Sequence, residues 1–260
     1  MKLLTTEGLT KSYRLKPAVK DLNLSVEERT LHGLIGPNGS GKTTTLQMLT
    51  GVFPAGRGEI RLFGKPFHPG SLDIKAKIGY VPEILPLFEH LKAEENLYFI
   101  GRLYGLDSKT AKSRTDELLR TFELNRVRSD FVHTYSKGMK KKLAFLCAII
   151  HNPKLLILDE LFEGLDFITS FRIQELLRKY TENGGTVLVS SHNLRLIEAF
   201  CNEVSVLHQG ELVFSGNVQE AKKTGMRLSK KEGLSGLESV FLNAVGDQAE
   251  PVMPEWLNGV

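Results

Sequence analysis

Chemistry is densest in the loop Gly36-Pro-Asn-Gly-Ser-Gly-Lys-Thr43, which fits G-x-x-x-x-G-K-[ST]. It follows the apolar stretch Leu31-His-Gly-Leu-Ile35 and precedes the helical pattern Thr44-Thr-Leu-Gln-Met-Leu49, the strand-to-helix context that a phosphate-binding loop requires. Glycines let the backbone wrap closely around phosphates and aim its N–H groups inward, at the positive end of the following helix. Gly36, Asn38, Gly39, Ser40, Gly41, Lys42, Thr43 and Thr44 are therefore the predicted nucleotide-binding set. Lys42 would reach the β- and γ-phosphates, and the Thr43 hydroxyl would complete a Mg²⁺ shell with phosphate oxygens and waters. A second constellation lies downstream, where the apolar run Leu155 to Leu158 ends in Asp159-Glu160. Two carboxylates at the C-terminal edge of a central strand sit where open α/β sheets bind their ligands. Asp159 would hold Mg²⁺ through water, and Glu160 would polarise the water that attacks the γ-phosphate.

These groups need elements to position them. The N-terminal third is β-rich: Leu22, Leu24 and Val26 share one face, Ile60 and Leu62 suggest a short strand, and Ile78-Gly-Tyr-Val81 runs into Pro82. From about residue 93 to 150 the apolar residues recur at helical spacing, through Leu97, Ile100 and Tyr104, then Leu118, Leu119 and Phe122, then Met139, Leu143, Cys147 and Ile150. A helical lobe is expected there. Beyond Pro153, the strand Leu155 to Leu158, a helix on Ile173, Leu176, Leu177 and Tyr180, and the β-branched run Thr186-Val-Leu-Val189 imply a parallel sheet covered on both faces. We expect one domain over 1–225, its core formed by about 1–84 and 153–225 and its helical subdomain by about 85–152. Residues 226–260 read as a linker and a short helix carrying Leu237, Val240, Phe241 and Val245.

Composition limits the function classes. With 41% hydrophobic and 25% charged residues the chain is globular, and its longest apolar run, Leu143 to Ile150, is far short of the roughly 20 residues that span a bilayer. The start MKLLTTEGLTK shows no secretory leader, and Cys147 and Cys201 lack metal or disulfide spacing, so we expect a cytoplasmic protein with buried thiols. A net charge of +4 does not argue for nucleic acid. Lys140-Lys-Lys142 with Lys137 forms the one basic cluster, and reads most simply as a solvated helix face.

The order of the remaining motifs resembles the nucleotide-binding subunit of ABC transporters over nearly the whole chain. Tyr135-Ser-Lys-Gly-Met139 is similar to the family signature L-S-G-G-Q, Gly164-Leu-Asp166 to the D-loop, and Ser190-Ser-His192 to the strand ending in the switch histidine; Tyr13 stands where members stack an aromatic on adenine. The resemblance implies a P-loop NTPase fold, with a RecA-like core, an N-terminal antiparallel β subdomain and an inserted α-helical subdomain. It also implies ATP and Mg²⁺ as cofactors and a head-to-tail dimer, either homodimer or paired subunits, that sandwiches two ATP molecules. Ser136 and the Gly138 N–H would contact the γ-phosphate of the opposite subunit, Asp166 would couple the two sites, and His192 would touch the γ-phosphate or the attacking water.

Several positions depart from the family pattern. Glu83 stands where glutamine is frequent after Tyr-Val-Pro and would be a metal ligand of altered charge. Lys137 and Met139 replace a glycine and a glutamine of the signature, and Leu161 replaces the proline that commonly follows the catalytic glutamate. Glu83, the Tyr-Ser-Lys-Gly-Met signature and the ending Leu237-Glu-Ser-Val-Phe-Leu242 resemble ATPase subunits of bacterial exporters, implying a separate polytopic membrane partner and a peripheral place on the inner face of the membrane. Two other classes compete: a soluble ABC ATPase acting on ribosomes or DNA, and a non-hydrolysing ATP-dependent regulator. A single P-loop, the lack of room for a coiled coil between Pro82 and Ser136, and the presence of Glu160 and His192 argue against both, and no nucleic-acid partner is expected.

Overall fold

The computed structural model describes residues 1–14, 16–228 and 236–245. The chain opens with β1 (Lys2–Tyr13), β2 (Lys16–Leu22) and β3 (Ser25–Glu27), then β4 (Leu31–Ile35) leads through the glycine loop into α1 (Lys42–Leu49). Next come β5 (Arg57–Leu62), β6 (Lys65–Pro66), α2 (Leu72–Lys75) and β7 (Ile78–Val81). The helical lobe follows as α3 (Ala93–Leu103), α4 (Ser108–Thr121) and α5 (Lys137–Ile149). The chain then re-enters the core with β8 (Leu155–Asp159), α6 (Phe167–Glu182), β9 (Thr186–Ser191), α7 (Leu194–Phe200), β10 (Glu203–His208), β11 (Glu211–Asn217), α8 (Val218–Leu228) and α9 (Gly236–Val245).

Among the described residues there are two sheets. One is antiparallel, in the order β2-β1-β5-β6 with β3 also on β1. The other runs β11-β10-β4-β9-β8-β7, parallel except for the β10–β11 hairpin at its edge. Every residue of β4, β8 and β9 is buried, as strands covered on both faces must be. Alternate side chains feed two cores. Leu155 and Ile157 pack with α1 and the antiparallel sheet, through Leu4, Leu9, Leu46 and Leu49. Leu156 and Leu158 pack on the other side with Phe145, Ile173, Leu177 and Ile197.

Helix starts are set locally. Asp107, Ser136, Asp166 and Asn193 each accept backbone N–H bonds in the first turn of α4, α5, α6 and α7. The position chosen as the end of the main domain, 225, falls inside α8, and Leu237 and Val240 of α9 are buried in the larger core. Residues 229–235 and 246–260 of the expected linker and tail lie outside the described residues. Cys201 is buried and Cys147 half-buried, both thiols are free, and burial pushes Cys147 up to about 12. Among the described residues no helix is long and apolar enough to cross a membrane.

Candidate functional site

Parallel pairing brings the loops after β4, β7, β8 and β9 to one edge of the sheet. Ile35 is level with Ser191 and Asp159 with Ser190. This C-terminal edge is where a doubly wound sheet offers its crevice. A cleft of about 430 Å³ opens there, lined by Asn38, Gly39 and the run Gly41 to Thr44 of the loop, by Glu83, Glu160, Glu163 and His192, and by Tyr13 and Ala18 from the antiparallel sheet.

The loop can take only small residues at its tightest points. A Cβ on Gly36 would lie 2.3 Å from the Leu207 carbonyl oxygen, and one on Gly41, whose φ is 105°, would lie 2.5 Å from that of Ala18. At Gly39 the space is open, which leaves its face of the loop free for a ligand. Lys42 is buried, and its ammonium donates to the carbonyls of Gly36 at 2.9 Å and Pro37 at 3.2 Å while standing 3.8 Å from Glu160 Oε1. The cation is therefore held over the cradle by weak, exchangeable acceptors.

Asp159 and Glu160 share one organiser, Ser190. Its hydroxyl donates to Asp159 Oδ1 and accepts from the Glu160 N–H at 3.0 Å. Burial pushes the Asp159 carboxyl above the ordinary aspartate value, against the pull of Ser190 and of the nearby Thr43 hydroxyl; the Glu83 and Glu160 carboxylates add to the upward push. Its Oδ2 is buried with no hydrogen-bond partner among the described residues. An orphaned carboxylate oxygen beside a threonine hydroxyl and a second carboxylate is an all-oxygen donor set suited to Mg²⁺. Among the described residues no three His, Cys, Asp or Glu side chains form a cage, so such an ion would draw the rest of its shell from phosphate and water.

Glu160 takes a left-handed φ of 48°, and its carboxylate lies between Lys42 and His192, whose Nδ1 donates to Oε2 at 3.1 Å. That positive φ is unfavourable for an L-residue, and at Glu160 it is kept beside contacts on both sides of the carboxylate. His192 is not the cap of α7; Asn193 is, which leaves the imidazole free for the cleft. Tyr13 is 45% exposed at the cleft mouth and packs edge-on to Phe53. Ser136 caps α5 by accepting from Met139 N at 3.2 Å, and Gly138 lies in the first turn beside Gly164. Asp166 caps α6, bound to the Thr169 N–H at 2.8 Å. Of the predicted site residues, Gly36, Ser40, Asp159, Ser136, Gly138 and Asp166 are not among those that line the cleft. Sequence reasoning missed Glu163, Ala18 and the organising role of Ser190; each is set by a strand pairing or a turn that no local motif encodes.

The model of the ABC transporter family matches residues 19–163. The chain belongs to that family. It is 34% identical over 244 residues to the linearmycin resistance ATP-binding protein LnrL of Bacillus subtilis, covering 94% of this chain and 78% of that protein. A solved ATP-binding subunit of an ABC transporter superposes with a TM-score of 0.84 at 31% identity, covering 93% of this chain and 99% of that one. A second solved cassette, dimeric and in a post-hydrolysis state with ADP and Pi, gives 0.77 at 26% identity, with 83% and 98% covered. This ABC protein is an ATP-binding, ATP-hydrolysing transporter subunit with the P-loop NTPase fold that the motifs imply. Nothing supports the ribosome, DNA or regulator alternatives.

Proposed function

We propose that this ABC ATPase works as one half of a head-to-tail pair on the inner face of the cell membrane, driving export through a separate polytopic subunit. The observation that carries the mechanism is the placement of Glu160 between Lys42 and His192 on the strand edge that also holds Asp159. Adenine stacks on Tyr13, and the phosphates lie in the loop Gly36 to Thr44, where Lys42 exchanges its two carbonyl partners for the β- and γ-oxygens. Mg²⁺ would be held by Thr43, Asp159 and Glu83, and supplies charge neutralisation at the phosphates when bound. Glu160 accepts the proton of the attacking water, and His192, donating through Nδ1 to Glu160, steadies that carboxylate. Ser136 and the Gly138 N–H, at the positive end of α5, close on the γ-phosphate held by the partner, and Asp166 links the two sites.

The membrane subunit has a surface to meet. A groove lined by Tyr80, Pro82, Pro86, Leu87, Ile100, Tyr104 and Cys147 runs between the Glu83 loop and the helical lobe, and Ile84 and Leu103 beside it are 87% and 68% exposed. Large apolar side chains standing in water next to a groove favour a protein partner. Export, rather than import, is supported by the resistance role in the relative's name and by the exporter-like ending of the chain. The deciding experiment is light scattering on purified Glu160→Gln with and without ATP. A shift from monomer to dimer on ATP alone is expected, and turnover about 100-fold or more below wild type; dimerisation indifferent to ATP, or unchanged turnover, refutes the sandwich or the base respectively.

A further inference from the structure

Lys141 does not lie on the solvated face that the run Lys140-Lys-Lys142 suggests. It is 4% exposed, just over one turn beyond Ser136 in α5. Its ammonium donates to the backbone carbonyl of Glu160 at 2.7 Å and to that of Glu163 at 2.6 Å. These carbonyls bracket the turn after β8, which the Glu163 N–H closes on the Glu160 oxygen at 3.3 Å. The left-handed φ of Glu160 is unfavourable for an ordinary L-residue, so contacts from outside the turn help to hold it. Burying an ammonium is also unfavourable unless its protons are met. Here two of them are met by the carbonyls that fix where the Glu160 carboxylate points. Burial draws the Lys141 ammonium below the ordinary lysine value, with the Glu163 carboxylate opposing.

We propose that Lys141 is a positioning residue for ATP hydrolysis: from the signature helix it clamps the turn 160–163 and thereby keeps the Glu160 carboxylate between Lys42 and His192. The proposal rests on the reading of Glu160 as the general base. It joins two halves of the mechanism, because the helix whose N-terminus faces the partner's nucleotide grips the base of this chain's own site one turn later. Without the clamp, the Glu160 backbone relaxes toward the ordinary β region and its carboxylate leaves the attacking water.

The test compares Lys141→Met with Lys141→Gln in the full chain. The two replacements have side chains of equal length, and only Gln keeps N–H donors. Steady-state ATP hydrolysis, calorimetric ATP binding and thermal melting are measured on each. Lys141→Met is expected to lower kcat about 10- to 100-fold, as small misplacements of a catalytic group do. Its KM and ATP affinity should stay within about twofold of wild type, and Lys141→Gln should restore most of kcat. An unchanged kcat in Lys141→Met overturns the proposal, and so does an equal fall in both variants, since volume rather than hydrogen bonding would then be at work. Glu160→Gln assayed alongside separates the two layers: wild-type turnover there removes the base reading itself and the clamp with it.

Discussion

At the scale of single residues, this site runs on side chains that must trade one set of partners for another. Lys42 shows it best. Its ammonium is buried on two carbonyl oxygens, 2.9 and 3.2 Å away, with a carboxylate at 3.8 Å. Phosphate oxygens are stronger acceptors for a cation than neutral carbonyls, so on the proposed reading the nucleotide would displace them and the loop would gain N–H contacts to phosphate in return. Lys42→Ala should therefore weaken ATP binding at least about tenfold in a calorimetric titration; an unaltered affinity would mean that the cation serves only to brace the loop. The loop was legible because every group in it is local in sequence. Lys141 was not: three consecutive lysines give no hint that the middle one turns inward, since that follows from the angle at which α5 meets the turn after β8. Ser190 was likewise recognisable as part of a motif, yet its bond to Asp159 depends on the β8–β9 register.

Elements carry the next level, and the ends of helices matter more than their middles. The first turn of α5 is exposed at Ser136 and Lys137, and its capping serine satisfies the Met139 N–H; the other N–H groups of a helix's first turn lack partners within the helix, and on the proposed reading they would meet the partner's phosphate. Ser136→Arg fills that space with a long side chain while leaving the cleft untouched. Monomer ATP binding should persist in this variant, and the ATP-driven dimer of a Glu160→Gln background should be lost in light scattering; a dimer that still forms would place the signature elsewhere. Element types were readable where the pattern was strong, in β4, β7, β8 and β9 and in the three helices of the lobe, while β10 and the β11 edge strand went unread. Boundaries were less so at the C-terminus, where the polar, lysine-containing stretch from Gly225 reads as a linker although α8 continues to Leu228 and α9 returns to the core. A helix whose apolar residues are few and widely spaced is specified by what it packs against rather than by its own pattern.

For the whole molecule, acid is the condition that tests how the larger sheet is held. His32 lies inside β4, 2% exposed, bonded through Nε2 to the Ser205 hydroxyl at 2.9 Å, which continues to Ser215 at 2.9 Å. Burial pulls its pKa down to about 4. His151, stacked on Tyr104 at 3.7 Å and donating to the Ile78 carbonyl, is also brought down to about 4, again chiefly by burial. In the unfolded chain both would titrate near 6.5, so on acidification the unfolded state takes up protons that the folded state refuses. Stability from these groups is complete above about pH 6.5 and is lost as pH falls toward 4, by about 3 kcal/mol for His32 alone at the lower end. Asp159 acts in the opposite sense, because its raised folded value lets the folded state bind a proton first. The histidine contribution is therefore isolated by comparing wild type with His32→Gln, which keeps a polar group for Ser205 but has no proton to gain. Melting temperature measured from pH 7 to 4.5 should fall more steeply in the wild type than in the variant. Parallel curves would show that the strand core yields to acid through some other group, and that the buried imidazole of β4 is charged in the folded protein.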